Sequence, residues 1–150
     1  MSELRDIYQE VILDHNRCPR NKGCLEHATH HAEGYNPLCG DQIDITLRIE
    51  NGRILDVAFE GHGCAISTAS SSLMTEYMKG LTTEEAEALF ETFHCRLTGD
   101  CKSESPDVDL GKLEALEGVR EFPIRVKCAT LPWHTLIAAI HQASEPVTTE

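Results

Sequence analysis

Ile43-Asp44-Ile45-Thr46-Leu47-Arg48-Ile49-Glu50-Asn51-Gly52-Arg53-Ile54-Leu55-Asp56-Val57-Ala58-Phe59 is the stretch whose reading decides the fold. Ile43, Ile45, Leu47 and Ile49 alternate with polar neighbours, and Leu55, Val57 and Phe59 alternate again beyond Asn51-Gly52. Successive side chains of a strand point to opposite faces, so a period of two marks a strand with one buried face. Asn-Gly supplies the two positive-φ positions of a type I′ turn, whose twist matches that of the strands it joins. The stretch is therefore a hairpin, and Asp41 before it and Gly61 after it return to the same end of the sheet.

At that end, Tyr35-Asn36-Pro37-Leu38-Cys39-Gly40-Asp41 leads in and Gly61-His62-Gly63-Cys64 leads out, so adjacency in the hairpin brings Cys39 and Cys64 within reach of each other. Beyond Cys64, the positions Ile66, Ser70, Leu73, Met74, Tyr77 and Met78 form a helical stripe that Gly80 ends. Cys64 thus opens a helix, where unpaired N–H groups and the helix dipole favour a thiolate. Thr82-Thr83-Glu84-Glu85 is a capping-box pattern for a helix with Ala86, Leu89, Phe90, Phe93 and Leu97 on its face. Residues 98–109 read as an acidic loop, and a short helix through Leu110, Leu113 and Leu116 follows. Phe122-Pro123-Ile124-Arg125-Val126-Lys127 reads as an extended approach to Cys128, with Pro132 in the first turn of a last helix carrying Leu136, Ile137 and Ile140. Upstream, Leu4, Ile7, Tyr8, Val11 and Ile12 share a helical face, with Ser2 as N-cap and an end near Asn16. Residues 25–35 are expected to hold a short edge strand, and residues 144–150 a disordered tail.

The chain has 150 residues, 41% of them hydrophobic, which suits one domain with a real core over 1–150. A formal net charge of -12 argues against nucleic acid, which needs clustered Lys and Arg to neutralise phosphates. No apolar run approaches the roughly 20 residues that span a bilayer, and Met1-Ser2-Glu3-Leu4-Arg5-Asp6 lacks the basic start and apolar run of a signal peptide. The expectation is a cytoplasmic protein that binds neither nucleic acid nor membrane. Its 7 cysteines are odd in number and the domain can bury its own core, so metal or thiol chemistry is favoured over a disulfide framework.

Cys39, Asp41, Cys64 and Cys128 are the residues expected to converge on a metal. Three thiolates suit zinc or the iron of an iron–sulfur cluster, and a carboxylate adds a harder, more readily exchanged ligand. The spacing is neither that of a CxxC zinc knuckle nor that of a ferredoxin. Scattered cysteines are commonly small buried hydrophobes; against that, each of these three borders a turn that opens a regular element.

These residues also carry a resemblance. The chain is similar to the SufU branch of the SufU/IscU family of iron–sulfur cluster assembly proteins through Ile7-Tyr8, Asp14-His15, Pro19-Arg20-Asn21-Lys22-Gly23, Asn36-Pro37-Leu38-Cys39-Gly40-Asp41, Gly61-His62-Gly63-Cys64-Ala65-Ile66-Ser67 and Val126-Lys127-Cys128-Ala129-Thr130-Leu131. The resemblance runs nearly end to end. It implies an α+β fold, a small antiparallel sheet of about three strands with helices packed on it, and a metal site made by Cys39, Asp41, Cys64 and Cys128. Two departures separate the chain from the IscU branch: Lys127 stands where those proteins have histidine, and Glu121-Phe122-Pro123-Ile124-Arg125 replaces their Leu-Pro-Pro-Val-Lys chaperone motif.

In the SufU branch, the resemblance implies a zinc protein that accepts persulfide sulfur from a SufS-type, PLP-dependent cysteine desulfurase and serves downstream iron–sulfur assembly proteins. It points to Cys39, on a loop that Gly40 lets move, as the acceptor, with Cys128 as the other choice. Two alternatives use the same ligands: a scaffold on which a [2Fe-2S] cluster is built, and a purely structural zinc interaction module. Structural sites favour full thiolate or histidine sets, which weighs against the module. A metallohydrolase would need a general base and an open coordination position that the sequence does not offer.

Among the remaining candidates, Cys18 and Cys24 with His27, His30 and His31 lack a recognised metal spacing. Cys95 and Cys101 read as incidental thiols more readily than as a regulatory disulfide, and His62, His134 and His141 read as solvated. Lys127 is equally readable as a partner of the Cys128 thiolate or as a surface charge, and Met74 and Met78 as core filler.

Overall fold

The computed structural model describes residues 2–37, 40–99, 111–120, 122–142 and 147–148. The hairpin consists of β2 (Asp41–Glu50) and β3 (Arg53–His62), antiparallel, with Ile45 opposite Phe59 and Leu47 opposite Val57. Asn51 and Gly52 have φ of 54° and 75°, both positive as the type I′ turn requires. Gln42 faces His62 and Ile43 faces Gly61, so the two site-bearing ends do meet. One expectation fails within the hairpin. A register irregularity between Arg48 and Ile49 sets Ile54 opposite Ile49; Ile54 is fully buried and Leu55 is 40% exposed. An irregularity of this kind disrupts the two-residue alternation locally, exchanging which neighbour faces the core.

β1 (His30–Asn36) lies antiparallel to β2, with Asn36 across from Asp41 and Gly34 across from Ile43. It starts at His30 rather than at 25 because the preceding loop spends its polar groups elsewhere: Leu25 N–H donates to Thr46 Oγ1 at 3.2 Å, and Thr29 N–H to Leu47 O at 2.8 Å. The expected three-stranded antiparallel sheet is present. A two-residue fourth strand, β4 (Val147–Thr148), joins it parallel to β1, giving the order β3-β2-β1-β4. These two residues belong to the tail expected to be disordered; the rest of that tail, 144–146 and 149–150, lies outside the described residues.

The helices are α1 (Ser2–Arg17), α2 (Ala65–Met78), α3 (Thr83–Thr98) and α4 (Pro123–Ile140), with a 3-10 helix over Gly111–Val119. Ser2 is already helical instead of capping from outside. The capping box of α3 forms as read, Glu85 N–H donating to Thr82 Oγ1 at 3.1 Å and Thr82 N–H to Glu85 Oε1 at 3.0 Å. α4 packs on β1 and β2, α2 on β3 and α4, and α1 on α2 and the 3-10 helix. Between sheet and helices, Ile45, Leu47, Leu73, Met74, Met78, Leu131 and Trp133 are all fully buried. Trp133 stacks on Phe93 with ring centres 4.2 Å apart, and its Nε1–H donates to Ser70 Oγ at 2.9 Å, which in turn donates to Ala129 O at 2.5 Å. That chain of bonds satisfies the buried indole N–H and locks α2 to α4.

The segment expected to approach Cys128 as extended chain is instead helical. Pro123 occupies the first turn, where its fixed φ is already helical and its missing N–H costs nothing. Cys128 therefore lies inside α4, and Pro132 is an interior proline instead of an opening one. Having no N–H, Pro132 cannot bond the carbonyl of Cys128 four residues back. At the other end of the molecule, His15 is 1% exposed, its Nδ1 2.7 Å from Ser72 Oγ, and the backbone N–H of Arg20 donates to the same hydroxyl at 2.8 Å. The loop after α1 is thereby tied to α2. Among the described residues, no helix is long and apolar enough to cross a membrane.

Candidate metal centre

Three elements deliver the site. Asp41 is the first residue of β2 and 1% exposed; Cys128, inside α4, is 2% exposed; Cys64 caps α2 and is exposed. One carboxylate oxygen of Asp41 and the sulfurs of Cys64 and Cys128 all lie within 4.8 Å of one another. Asp41 Oδ1 accepts the Cys64 N–H at 2.8 Å, and Oδ2 stands 3.7 Å from Cys64 Sγ. Cys64 Sγ in turn accepts the Ser67 N–H at 3.4 Å, the helix-capping bond that the sequence position implied.

The donor set fits a zinc-sized cation. With metal–sulfur bonds of about 2.3 Å and metal–oxygen bonds of about 2.0–2.2 Å, neighbouring tetrahedral ligands stand roughly 3.5–3.8 Å apart, and the Asp41–Cys64 pair is already at 3.7 Å. Charge points the same way. Asp41 is buried, yet among the described residues no Lys, Arg or His forms an ion pair with it. A buried carboxylate without a positive partner is costly, and a metal ion removes that cost.

Cys39 lies outside the described residues. Its flank is described: Gly40 has φ of 74°, and its N–H donates to Asn36 O at 2.8 Å. Two residues essential to the geometry do not stand out in the sequence. A Cβ on Gly63 would stand 2.7 Å from Asp41 Oδ1 and 3.1 Å from its Cγ, so only glycine leaves the carboxylate its place. Asn36 is 0% exposed, with Nδ2 3.9 Å from Cys128 Sγ. The available signal for Asn36 is the alternation of β1, which turns Ala32, Gly34 and Asn36 to the buried face.

The other candidates sort differently. Cys18 and Cys24 are exposed and free, and among the described residues they join no metal-like group with His27 or His30. His31 meets Glu33 and Asp44 instead, on the open face of the sheet, where Glu33 and Asp44 are directly opposed and one Asp44 oxygen, Oδ1, is buried without a hydrogen bond. Cys95 is disulfide-bonded, against the expectation of an incidental thiol; Cys101 lies outside the described residues. His134 is not solvated: it packs edge-on against Phe90 and His94, and burial lowers its pKa, with the neighbouring His94 adding to the shift. His62 is exposed, and His141 pairs with Glu87 at the surface at 2.6 Å. Lys127 is partly buried, and Met74 and Met78 are core residues as read.

Residues 7–129 match the family described as the NifU-like N terminal domain. The chain belongs to this family. The matched span of the NifU-like domain contains Asp41, Cys64 and Cys128 and ends one residue beyond the last. Among curated relatives, the chain is 42% identical over 135 residues to the zinc-dependent sulfurtransferase SufU of Bacillus subtilis, covering 90% of each protein. It is 41% identical over 145 residues to the iron–sulfur cluster assembly scaffold protein IscU of Streptococcus pyogenes, covering 96% of this chain and 89% of that one. Among solved structures, a candidate iron–sulfur cluster assembly scaffold of the SUF system from Fervidobacterium islandicum superimposes with a TM-score of 0.77 at 35% identity, over 87% of this chain and 94% of that one. The solved NifU-like relative shares the sheet-and-helix arrangement of this chain.

Proposed function

We propose that this chain is a zinc-dependent sulfur acceptor that takes persulfide sulfur from a SufS-type, PLP-dependent cysteine desulfurase in the cytoplasm and passes it to iron–sulfur cluster assembly. The observation that carries the reading is the Asp41–Cys64–Cys128 trio, donor atoms within 4.8 Å, with a buried carboxylate that no cationic side chain among the described residues neutralises. Cys39, two residues before Asp41, is the fourth ligand in this reading and the sulfur acceptor.

Zinc held by these residues would keep their thiols deprotonated at neutral pH, which is the state that attacks a persulfide. The chain's own residues do the rest. Asp41 and Cys128 are buried and hold their positions; the segment around Gly40, whose φ of 74° favours glycine, carries Cys39 toward a partner. The Cys39 thiolate attacks the terminal sulfur of the desulfurase persulfide, the sulfur–sulfur bond to the enzyme breaks, and its electron pair returns to the enzyme cysteine as thiolate. A scaffold role, in which the same four ligands hold a [2Fe-2S] cluster, is the second reading, favoured by the 41% identity to the S. pyogenes IscU scaffold.

The test is to purify the protein without oxygen, measure its metals and add it to a SufS-type desulfurase with cysteine. About one zinc per chain, no visible absorption and faster cysteine turnover are expected. A coloured protein holding iron and sulfide, without effect on turnover, would favour the scaffold.

A further inference from the structure

Asn36 closes β1 on the face that packs against α4 and is 0% exposed. Burying an amide there is costly unless its polar atoms find partners, so what it touches matters. Its Nδ2 donates toward Cys128 Sγ at 3.9 Å, in a contact closed to solvent. Its backbone carbonyl accepts the Gly40 N–H at 2.8 Å, and its register partner across the ladder is Asp41. One buried residue therefore borders Gly40, the carboxylate strand and the Cys128 thiol.

We propose that Asn36 is a positioning residue: its amide fixes Cys128 Sγ as an anchoring ligand and damps its nucleophilicity, leaving sulfur acceptance to Cys39. This rests on the metal-centre reading above. An N–H aimed at a thiolate stabilises charge on the sulfur and so withdraws it from attack. Partners behind the ligands of a metal commonly alter its affinity by about 10–100-fold. Cys64 differs: its sulfur accepts a backbone N–H at 3.4 Å, faces Asp41 Oδ2 at 3.7 Å and is exposed.

The experiment compares wild-type protein with Asn36→Asp, which keeps the shape and removes the donor, and Asn36→Leu, which removes the amide. Each is loaded with cobalt(II) in place of zinc; the sulfur-to-cobalt absorption, the rate of metal release to a chelator, and the ratio of Cys128 to Cys64 alkylation by iodoacetamide are read. Both variants are expected to bind one cobalt, shift the absorption, release metal about 10–100-fold faster and raise the Cys128-to-Cys64 ratio. An unchanged spectrum, release rate and ratio would overturn the inference. So would a lower melting temperature with both cysteines labelled faster in equal measure, or loss of fold in both variants, either of which makes Asn36 structural only. Wild-type protein that takes up no cobalt would instead bring down the metal-centre reading on which the inference stands.

Discussion

Asp41 and Cys64 are joined twice: Oδ1 of the carboxylate accepts the Cys64 backbone N–H at 2.8 Å, while Oδ2 stands 3.7 Å from the same residue's sulfur. One carboxylate thus holds the backbone of Cys64, the N-cap residue of α2, and offers an oxygen to the site. Sheet end and helix start are fastened by a single side chain.

Replacing Asp41 by Ala removes both functions together. A hydrogen bond to a charged acceptor contributes about 1.5–3 kcal/mol, so the fold should survive its loss, while zinc release to a chelator should accelerate. Gly63→Ala is expected to act in the same direction with Asp41 still present, because its Cβ would stand 2.7 Å from Asp41 Oδ1. A loss of about 10–100-fold in metal affinity is expected for the glycine variant. Metal release from both variants, followed with a coloured chelator, checks the pair; unchanged rates in both would remove Asp41 from the ligand set.

The hairpin irregularity predicts opposite outcomes for neighbouring residues. Ile54→Ala should cost about 2–5 kcal/mol, the range for truncating a buried aliphatic side chain, because Ile54 is 0% exposed. Leu55→Ala should change stability by no more than about 0.5 kcal/mol, since that side chain is 40% exposed. Urea denaturation of the two variants decides between the observed register and simple alternation, which would reverse the order.

How much of the molecule is legible in its sequence follows from the same elements. The hairpin, its turn and the capping box of α3 depend on local chemistry, and local chemistry is written in consecutive residues. The face exchange at Ile54 and Leu55 depends on how two strands slide past each other, which alternation within one strand cannot report. The start of the last helix is ambiguous in sequence because two prolines, Pro123 and Pro132, could each open it; burial of Cys128, Ala129 and Leu131, all before Pro132, stabilises the longer choice. Asp41, Cys64 and Cys128 are legible as candidate ligands, since residue types that bind metals declare themselves in the sequence. Asn36 and Gly63, which make room and contacts for them, act through distances that only the folded chain contains.

Histidine burial predicts a pH dependence of stability. Burial lowers the pKa of His15, with the Arg20 charge adding to it, and burial with the neighbouring His94 lowers that of His134. The unfolded chain takes up these protons first as pH falls, so stability is fully present above about pH 6.5 and is lost as pH drops through the lowered folded values. Thermal midpoints of reduced, metal-free protein should therefore fall between pH 8 and 5. His134→Phe should make that slope shallower while keeping the ring contact with Phe90, now at 5.1 Å between centres. Equal slopes in wild type and variant would contradict the assignment of His134.

The central claim is that Cys39 accepts sulfur while Asp41, Cys64 and Cys128 keep the metal. Its most direct test is to incubate zinc-loaded protein with a SufS-type desulfurase and cysteine, then locate the added sulfur by intact mass and peptide mapping. The expected result is the mass of one sulfur atom on the peptide containing Cys39, and none on Cys39→Ser protein that still holds its fold. Persulfide on Cys128, formed in a Cys39→Ser variant that still accelerates the desulfurase, would contradict it.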